Sequence, residues 1–336
     1  MKEKVKNNKK KILSIAIVLL IIISGIILIL INKPPQKEEK NDQKVSEIKK
    51  EEKTHFFIKD EQSLYIADNN YFKDGTKKLI TDKAHELTPG VLYNDKYYYA
   101  NNENKLIVYN IKDQSSTEYS FEGVELHANT LILPGEEYTI ITESFNFVRI
   151  DMKNKTSKKL DIKSNNLYIL YDDTEKILYY LNNNILNKYD VKNEKELGTL
   201  NIDGGPVIVD EEFVYFDIFN ANGIEKYNKK TGEITRLNIT DHWPGTQSIG
   251  VIIKKDNKLF LLQGGQDKLI KYDNGEETII IEGEYLYITN IGNNIYIKSN
   301  LYSSDSYEYY IYDINNNELT KTDNEHIKYI LDKINN

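Results

Sequence analysis

From His55 onward the chain returns seven times to one short phrase, a strand-like stretch whose last aliphatic or aromatic residue is followed by Asp or Asn. The phrases are SLYIAD ending at Asp68, LIVYN at Asn110, FVRID at Asp151, LNKYD at Asp190, IEKYN at Asn228, LIKYD at Asp273 and YYIYD at Asp313. Their ends are 42, 41, 39, 38, 45 and 40 residues apart. A period near forty that holds several short strands is the spacing of a four-stranded blade, and units of this kind bury their apolar faces only by stacking on one another. The predicted fold is therefore all-β, a seven-bladed β-propeller over residues 54–336. The recurring Asp or Asn has a local cause: its side chain accepts from the backbone two residues on and opens the turn between a blade's third and fourth strands. Asn228-Lys229-Lys230-Thr231-Gly232-Glu233 shows that turn, with Gly232 free to take positive φ.

The remaining strands fall into register. Second strands read HFFIK, KYYYAN, EYTIIT, KILYYL, EFVYFD, KLFLLQ and NIYIKS; outer strands such as TKKLIT, SKKLDI and ITRLNI are short and partly polar, as an exposed edge requires. Tyr at 26 residues against one Trp fits the same reading, since Tyr, Ile and Val favour pleated, half-buried surfaces. Inner strands VLYND, TLILP, LYILYD, PVIVD, GVIIKK and LYITN supply six blades, and the first blade has none of its own. His326-Ile327-Lys328-Tyr329-Ile330-Leu331-Asp332-Lys333 resembles those inner strands, so the C-terminus is expected to complete blade 1 as a strand and close the ring.

Ahead of the repeats, Ile12–Ile31 is twenty residues without a charge, about 30 Å as a helix and long enough to span a bilayer. Lys2, Lys4, Lys6, Lys9, Lys10 and Lys11 precede it with one acid, Glu3. The positive-inside rule then keeps the N-terminus in the cytoplasm and exports the rest. No small-x-small cleavage site follows, so the segment is expected to stay as a single-pass signal anchor in the cell membrane. The organisation expected is a cytoplasmic basic tail over 1–11, a transmembrane anchor over 12–31, a flexible charged stalk over 32–53 and an extracytoplasmic propeller over 54–336. Thirteen lysines and seven acids in residues 1–53 leave 31 basic and 45 acidic residues beyond, a net charge of −14. Such a body repels phosphate backbones, which argues against nucleic acid as a partner. The absence of cysteine excludes disulfides, thiolate metal sites, a cysteine nucleophile and lipidation at an N-terminal cysteine.

The repeat phrase, an apolar pair, Asp or Asn, then a Thr-Gly or Asn-rich turn, resembles the blades of bacterial extracytoplasmic propeller proteins, the broad group of TolB-like, quinoprotein-like and YVTN-type repeats that includes families of unknown function. The resemblance covers roughly residues 54–336 and implies an extracytoplasmic propeller domain. Quinoprotein blades usually carry a Trp in each repeat, whereas this chain has Trp243 alone, so quinone chemistry does not carry over.

No G-x-S-x-G elbow, H-E-x-x-H pair or phosphate-binding glycine loop is present. Asp68-Asn69-Asn70, Asp172-Asp173 and Asn315-Asn316-Asn317 read as turns rather than calcium loops, because they lack the spaced ligand order of an EF-hand. Four of five histidines, His85, His127, His242 and His326, fall between an outer strand and the next inner strand. Each has a carboxylate close by: Glu86, Glu125, Asp241 and Glu325. A propeller gathers those connections on one face, so the eight residues are candidates for a rim at the channel mouth, with the four histidines as ligands for a divalent metal; no other cofactor is expected. Trp243, in the longest interval, is a candidate anchor for a partner or a sugar. The function expected is non-catalytic: a membrane-tethered module or scaffold for a protein, a peptide or a cell-envelope glycan. An extracytoplasmic hydrolase or lyase, or a metal-binding sensor using the His/carboxylate rim, is the alternative.

Overall fold

The computed structural model describes residues 54–333, apart from 128–129, 144–145, 165–167, 203, 219–222, 238, 240–250, 263–266, 284–285 and 301–305. The basic tail, the expected transmembrane anchor and the stalk, together with Asp241, His242 and Trp243, lie outside the described residues. Among the described residues no helix is long and apolar enough to cross a membrane.

Seven antiparallel sheets follow one another along the chain, each a simple meander. Blade 1 has three strands, β1 (Phe56–Asp60), β2 (Ser63–Ala67) and β3 (Lys77–Thr81), with a short helix α1 (Tyr71–Asp74) between the last two. Blade 2 comprises β4 (Val91–Tyr93), β5 (Lys96–Ala100), β6 (Lys105–Asn110) and β7 (Ser116–Ser120). Blade 3 comprises β8 (Leu131–Leu133), β9 (Tyr138–Glu143), β10 (Asn146–Asp151) and β11 (Thr156–Leu160). Four more four-stranded blades cover 169–200, 204–237, 251–282 and 286–321. The seven-bladed, all-β reading of the sequence is borne out, as is the missing inner strand of blade 1.

Second strands of the blades are buried on both faces, because each sheet is sandwiched between its neighbours. Tyr97 to Ala100, Leu178 to Leu181 and Leu259 to Leu262 are all buried. That double burial is why these strands read as continuous apolar runs instead of alternating ones. The core accordingly lies between blades. Tyr98, Leu106 and Phe121 of blade 2 and its outgoing connection meet Ile141, Val148 and Ile150 of blade 3. Phe147 and Leu160 of blade 3 meet Leu178 and Tyr189 of blade 4. The same sheet-on-sheet clusters join blades 4 to 5, 5 to 6, 6 to 7 and 1 to 2.

The Asp/Asn turns form as read. Asn110, Asp151, Asp190, Asn228 and Asp313 each accept, through Oδ1, from the backbone N–H two residues on at 2.8–3.0 Å. Asp68 does the same for Asn70 at 2.9 Å. Asp273 departs from the pattern: Asn274 and Gly275 take φ of 51° and 89° and make a two-residue hairpin. Gly232, at φ 75°, occupies the left-handed position expected of it.

The ring closes differently from expectation. Residues Glu325–Lys333 form a helix, α2, not a strand completing blade 1. Ile327, Ile330 and Leu331 are buried at i, i+3 and i+4, and Asn324 caps the first turn by accepting from His326 N (2.9 Å) and Ile327 N (3.2 Å). The alternating reading of Ile327, Tyr329 and Leu331 loses to that capped helical period. Wedged between two sheets, α2 sends Ile330 into a cluster with Phe56, Ile58 and Tyr71 of blade 1. Ile327 and Leu331 pack instead on Tyr296, Tyr309 and Ile311 of blade 7. Polar ties flank the wedge: Tyr329 donates to Asp60 at 2.8 Å, Lys298 to Asp332 at 2.7 Å, and Asn324 Nδ2 to the Phe72 carbonyl at 2.6 Å.

Candidate functional site

Antiparallel order puts each blade's second-to-third turn and its outgoing connection at one end of the sheet, here the mouth face. The other turns lie on the far face. At the mouth, the connection leaving blade 1 is laced to the turns beside it: Ala84 N donates to Gln62 O (2.9 Å), His85 N to Ala100 O (2.8 Å) and Asn102 N to Lys83 O (3.0 Å). Three such backbone bonds fix the stretch that carries His85.

Two of the four rim histidines come together here. Thr88, 1% exposed, sits between them; its Oγ1 lies 2.9 Å from His85 Nδ1 and donates to the His127 carbonyl at 3.5 Å. The Thr88 N–H also donates to His85 Nδ1 at 3.2 Å, so that nitrogen is held as an acceptor and the neutral ring carries its proton on Nε2. Lys59, the penultimate residue of β1, reaches over the same loop and donates to the carbonyls of Thr88 (2.9 Å) and Glu86. Burial lowers the Lys59 pKa, with Glu86 acting in the opposite sense. His127 Nε2 lies 3.9 Å from both Glu125 and Glu143, and its backbone is tied to Thr130. Two residues beyond His85, Leu87 is 57% exposed.

His85 is pushed below the ordinary imidazole range by burial first, then by the positive charges of Lys59 and His127, with Glu86 opposing. Above the unfolded value near 6.5 both states hold a neutral ring and the group adds no pH dependence. As the pH falls through that value the unfolded chain takes up the proton first, so stability is lost until the lower folded value is passed. Thermal melts between pH 7.5 and 5.0 are expected to show a smaller acid-side loss in His85→Gln than in the parent; identical slopes would remove His85 from the account.

Glu325 and His326 do not join this rim. The His326 ring is 5.2 Å from the Tyr71 ring of α1, and a Cβ added to Gly75 would sit 2.7 Å from its Cε1. α1 follows Ala67, which pairs with Lys77, whereas His85 follows Thr81, which pairs with Leu64 at the opposite end of the sheet. The expected placement of His326 at the mouth is therefore corrected: the C-terminal helix begins at the far end of the seam and ends at the mouth. Glu325, at that helix's start, pairs with Lys328 at 3.0 Å. Among the described residues no group of three or more His, Asp or Glu is close enough to hold a metal ion.

Lys59, Thr88, Glu143 and Leu87 escaped the sequence reading. Only Lys59 left a signal. In a blade without an inner strand, the next strand becomes the innermost, so a lysine near its mouth end faces the adjoining loop.

No protein-family profile matches the chain, and no curated protein does. Among solved structures it is similar to the crystal structure of the computationally designed Ika8 protein, with a TM-score of 0.53 at 12% identity, over 82% of this chain and 88% of that one. A likeness at that identity shows the fold alone.

Proposed function

We propose that the chain is a membrane-tethered, extracytoplasmic propeller acting as a non-catalytic binding or scaffold module, engaging a protein or peptide at the mouth formed by blades 1 to 3; a cell-envelope glycan is the other class such a module takes. The observation that carries the reading is exposed Leu87, in the same connection as His85, Glu86 and Thr88, which Lys59 and the His127 carbonyl meet. A large exposed aliphatic side chain flanked by both signs of charge matches a protein partner, which offers an apolar anchor and a polar rim. The hydroxyls of Thr88 and Thr130, which meet the histidines here, are too buried to act as nucleophiles. The apolar run 12–31 and the basic residues ahead of it support the tether and the orientation.

A photo-crosslinking residue placed at position 87 of the full-length protein, in its native membrane, is expected to capture a discrete polypeptide. The same residue at Ile279, exposed on an outer strand, is the control. Equal capture from both positions, or none from position 87, would count against the mouth as the docking face.

A further inference from the structure

Among the described residues, blade 1 is the one sheet without an inner strand, and the place of that strand stands open. The two-residue turn Glu61-Gln62 closes at Asp60 and Ser63, so Phe56, Ile58 and Asp60 exchange backbone bonds with β2. Phe57 and Lys59 therefore turn their N–H and C=O groups the other way, where among the described residues no backbone group meets them. An edge of this kind is a template for one more strand.

The flank of the opening shows the same vacancy. Phe57 stacks on Tyr97 of blade 2 at 3.9 Å, and Leu92 of β4 lies directly across from Tyr97, so Leu92 also faces blade 1. It is 47% exposed. At the next interface that role falls to Ile132 of β8, which shares a cluster with Val91 and Tyr93 of blade 2's inner strand and is 3% exposed. Blade 1 has no inner strand to lay such cover on Leu92.

We propose that an extended peptide of a partner protein fills this place as the missing strand. It runs antiparallel to β1, as the six inner strands run to theirs, with an acidic side chain opposite Lys59 and, two residues on, an aliphatic one opposite Phe57 and against Leu92. The assignment rests on the reading of the chain as a protein- or peptide-binding module. Main-chain bonds supply affinity in this mode and alternate side chains supply specificity. Charge selects the acid. Lys59 is half-buried and donates to the Thr88 and Glu86 carbonyls, and among the described residues no carboxylate lies within ion-pair distance of it. An ammonium has three donors, and residues directly opposite in an antiparallel pair are neighbours, so a carboxylate there pairs with it. Residues 49–53, Lys-Lys-Glu-Glu-Lys, lead towards β1 with no aliphatic side chain to offer Leu92, which favours a partner over the chain's own stalk.

The test uses full-length protein in detergent micelles and a synthetic peptide, acetyl-Thr-Thr-Glu-Thr-Leu-Thr-Thr-amide. It is expected to bind saturably and to raise the melting midpoint. The Glu and Leu N–H groups are the ones that point at β1. N-methylation at Leu should therefore weaken binding by about tenfold or more, while N-methylation at the Thr before it should leave the affinity unchanged. Gln in place of the peptide's Glu, and Leu92→Ala in the protein, are each expected to cost about tenfold; Leu92→Ala, at an exposed site, keeps the parent melt. No saturable binding, equal effects of the two N-methyl peptides, or indifference to both the Gln peptide and Leu92→Ala would overturn the proposal. Tighter peptide binding once residues 44–53 are replaced by a Gly-Ser linker would make the stalk the occupant, and self-association relieved by the peptide would make it a second copy; either result overturns it too. Capture from position 87 separates the strand from the docking face. Capture without peptide binding sinks the strand alone, and peptide binding with the expected pattern but no capture sinks the docking face alone.

Discussion

Removal of residues 325–336 is expected to abolish the cooperative melt of the propeller, leaving a chain without a folded baseline at 37 °C. Each of the six other interfaces in the ring is a sheet laid on a sheet; the seventh is filled by α2, with Phe72 of α1 stacked on Tyr296 of blade 7 beside it. Ile327, Ile330 and Leu331 are 3%, 7% and 0% exposed, and truncating one such side chain to Ala typically costs about 2–5 kcal/mol. Losing all three removes an amount comparable to the whole stability of an ordinary domain, about 5–15 kcal/mol. The loss also uncovers the faces of two blades at once, exposing Phe56, Ile58, Tyr296 and Ile311 to water. Circular dichroism melts of the truncated and parent proteins decide the matter: an unchanged midpoint would mean that the ring closes without the helix. Leu331→Ala is the milder variant, expected to lower the midpoint while keeping a single transition.

Lys229→Met is expected to be the most damaging single substitution of a charged residue, lowering the midpoint by roughly 5–15 °C. Lys229 lies in the Asn228 turn of blade 5 and donates to Asp172 Oδ2 of blade 4 at 2.7 Å, with each side chain only 3% exposed. Asp172 meanwhile holds its own turn, accepting from Thr174 N (2.9 Å) and Glu175 N (3.2 Å) through the other oxygen. Removing the ammonium strands a carboxylate in a site almost closed to solvent, a loss of about 3–5 kcal/mol. Asp172→Asn added to Lys229→Met keeps the turn acceptor and deletes the stranded charge, so the double variant should recover much of the loss. A Lys229→Met protein that melts like the parent would show that water enters the site and screens the pair.

The two results bear on different kinds of information. Blade count, strand identity and the Asp/Asn turns were legible because they are local and repeated seven times over. An Asx-type turn is made by a side chain and a backbone two residues away, and a doubly buried strand must be apolar throughout. The helix at the seam was not legible as a helix. HIKYILDK satisfies a period of two and a period near 3.6, and only the Asn324 cap and the pair of sheets on either side choose between them. At the mouth, the residue types were readable and their grouping was not. His85 and His127 meet because Thr88 bridges two successive connections, while His326 leaves them because α2 starts at the other end of blade 1.

Composition and period alone thus determined that this chain stacks forty-residue β units radially, since no single unit can cover its own apolar faces. Only the tertiary structure decided how the circle is completed and which charged groups share a cavity. Those outcomes depend on contacts between residues hundreds of positions apart, such as Asp60 with Tyr329, where neither partner's neighbours in the chain announce the other.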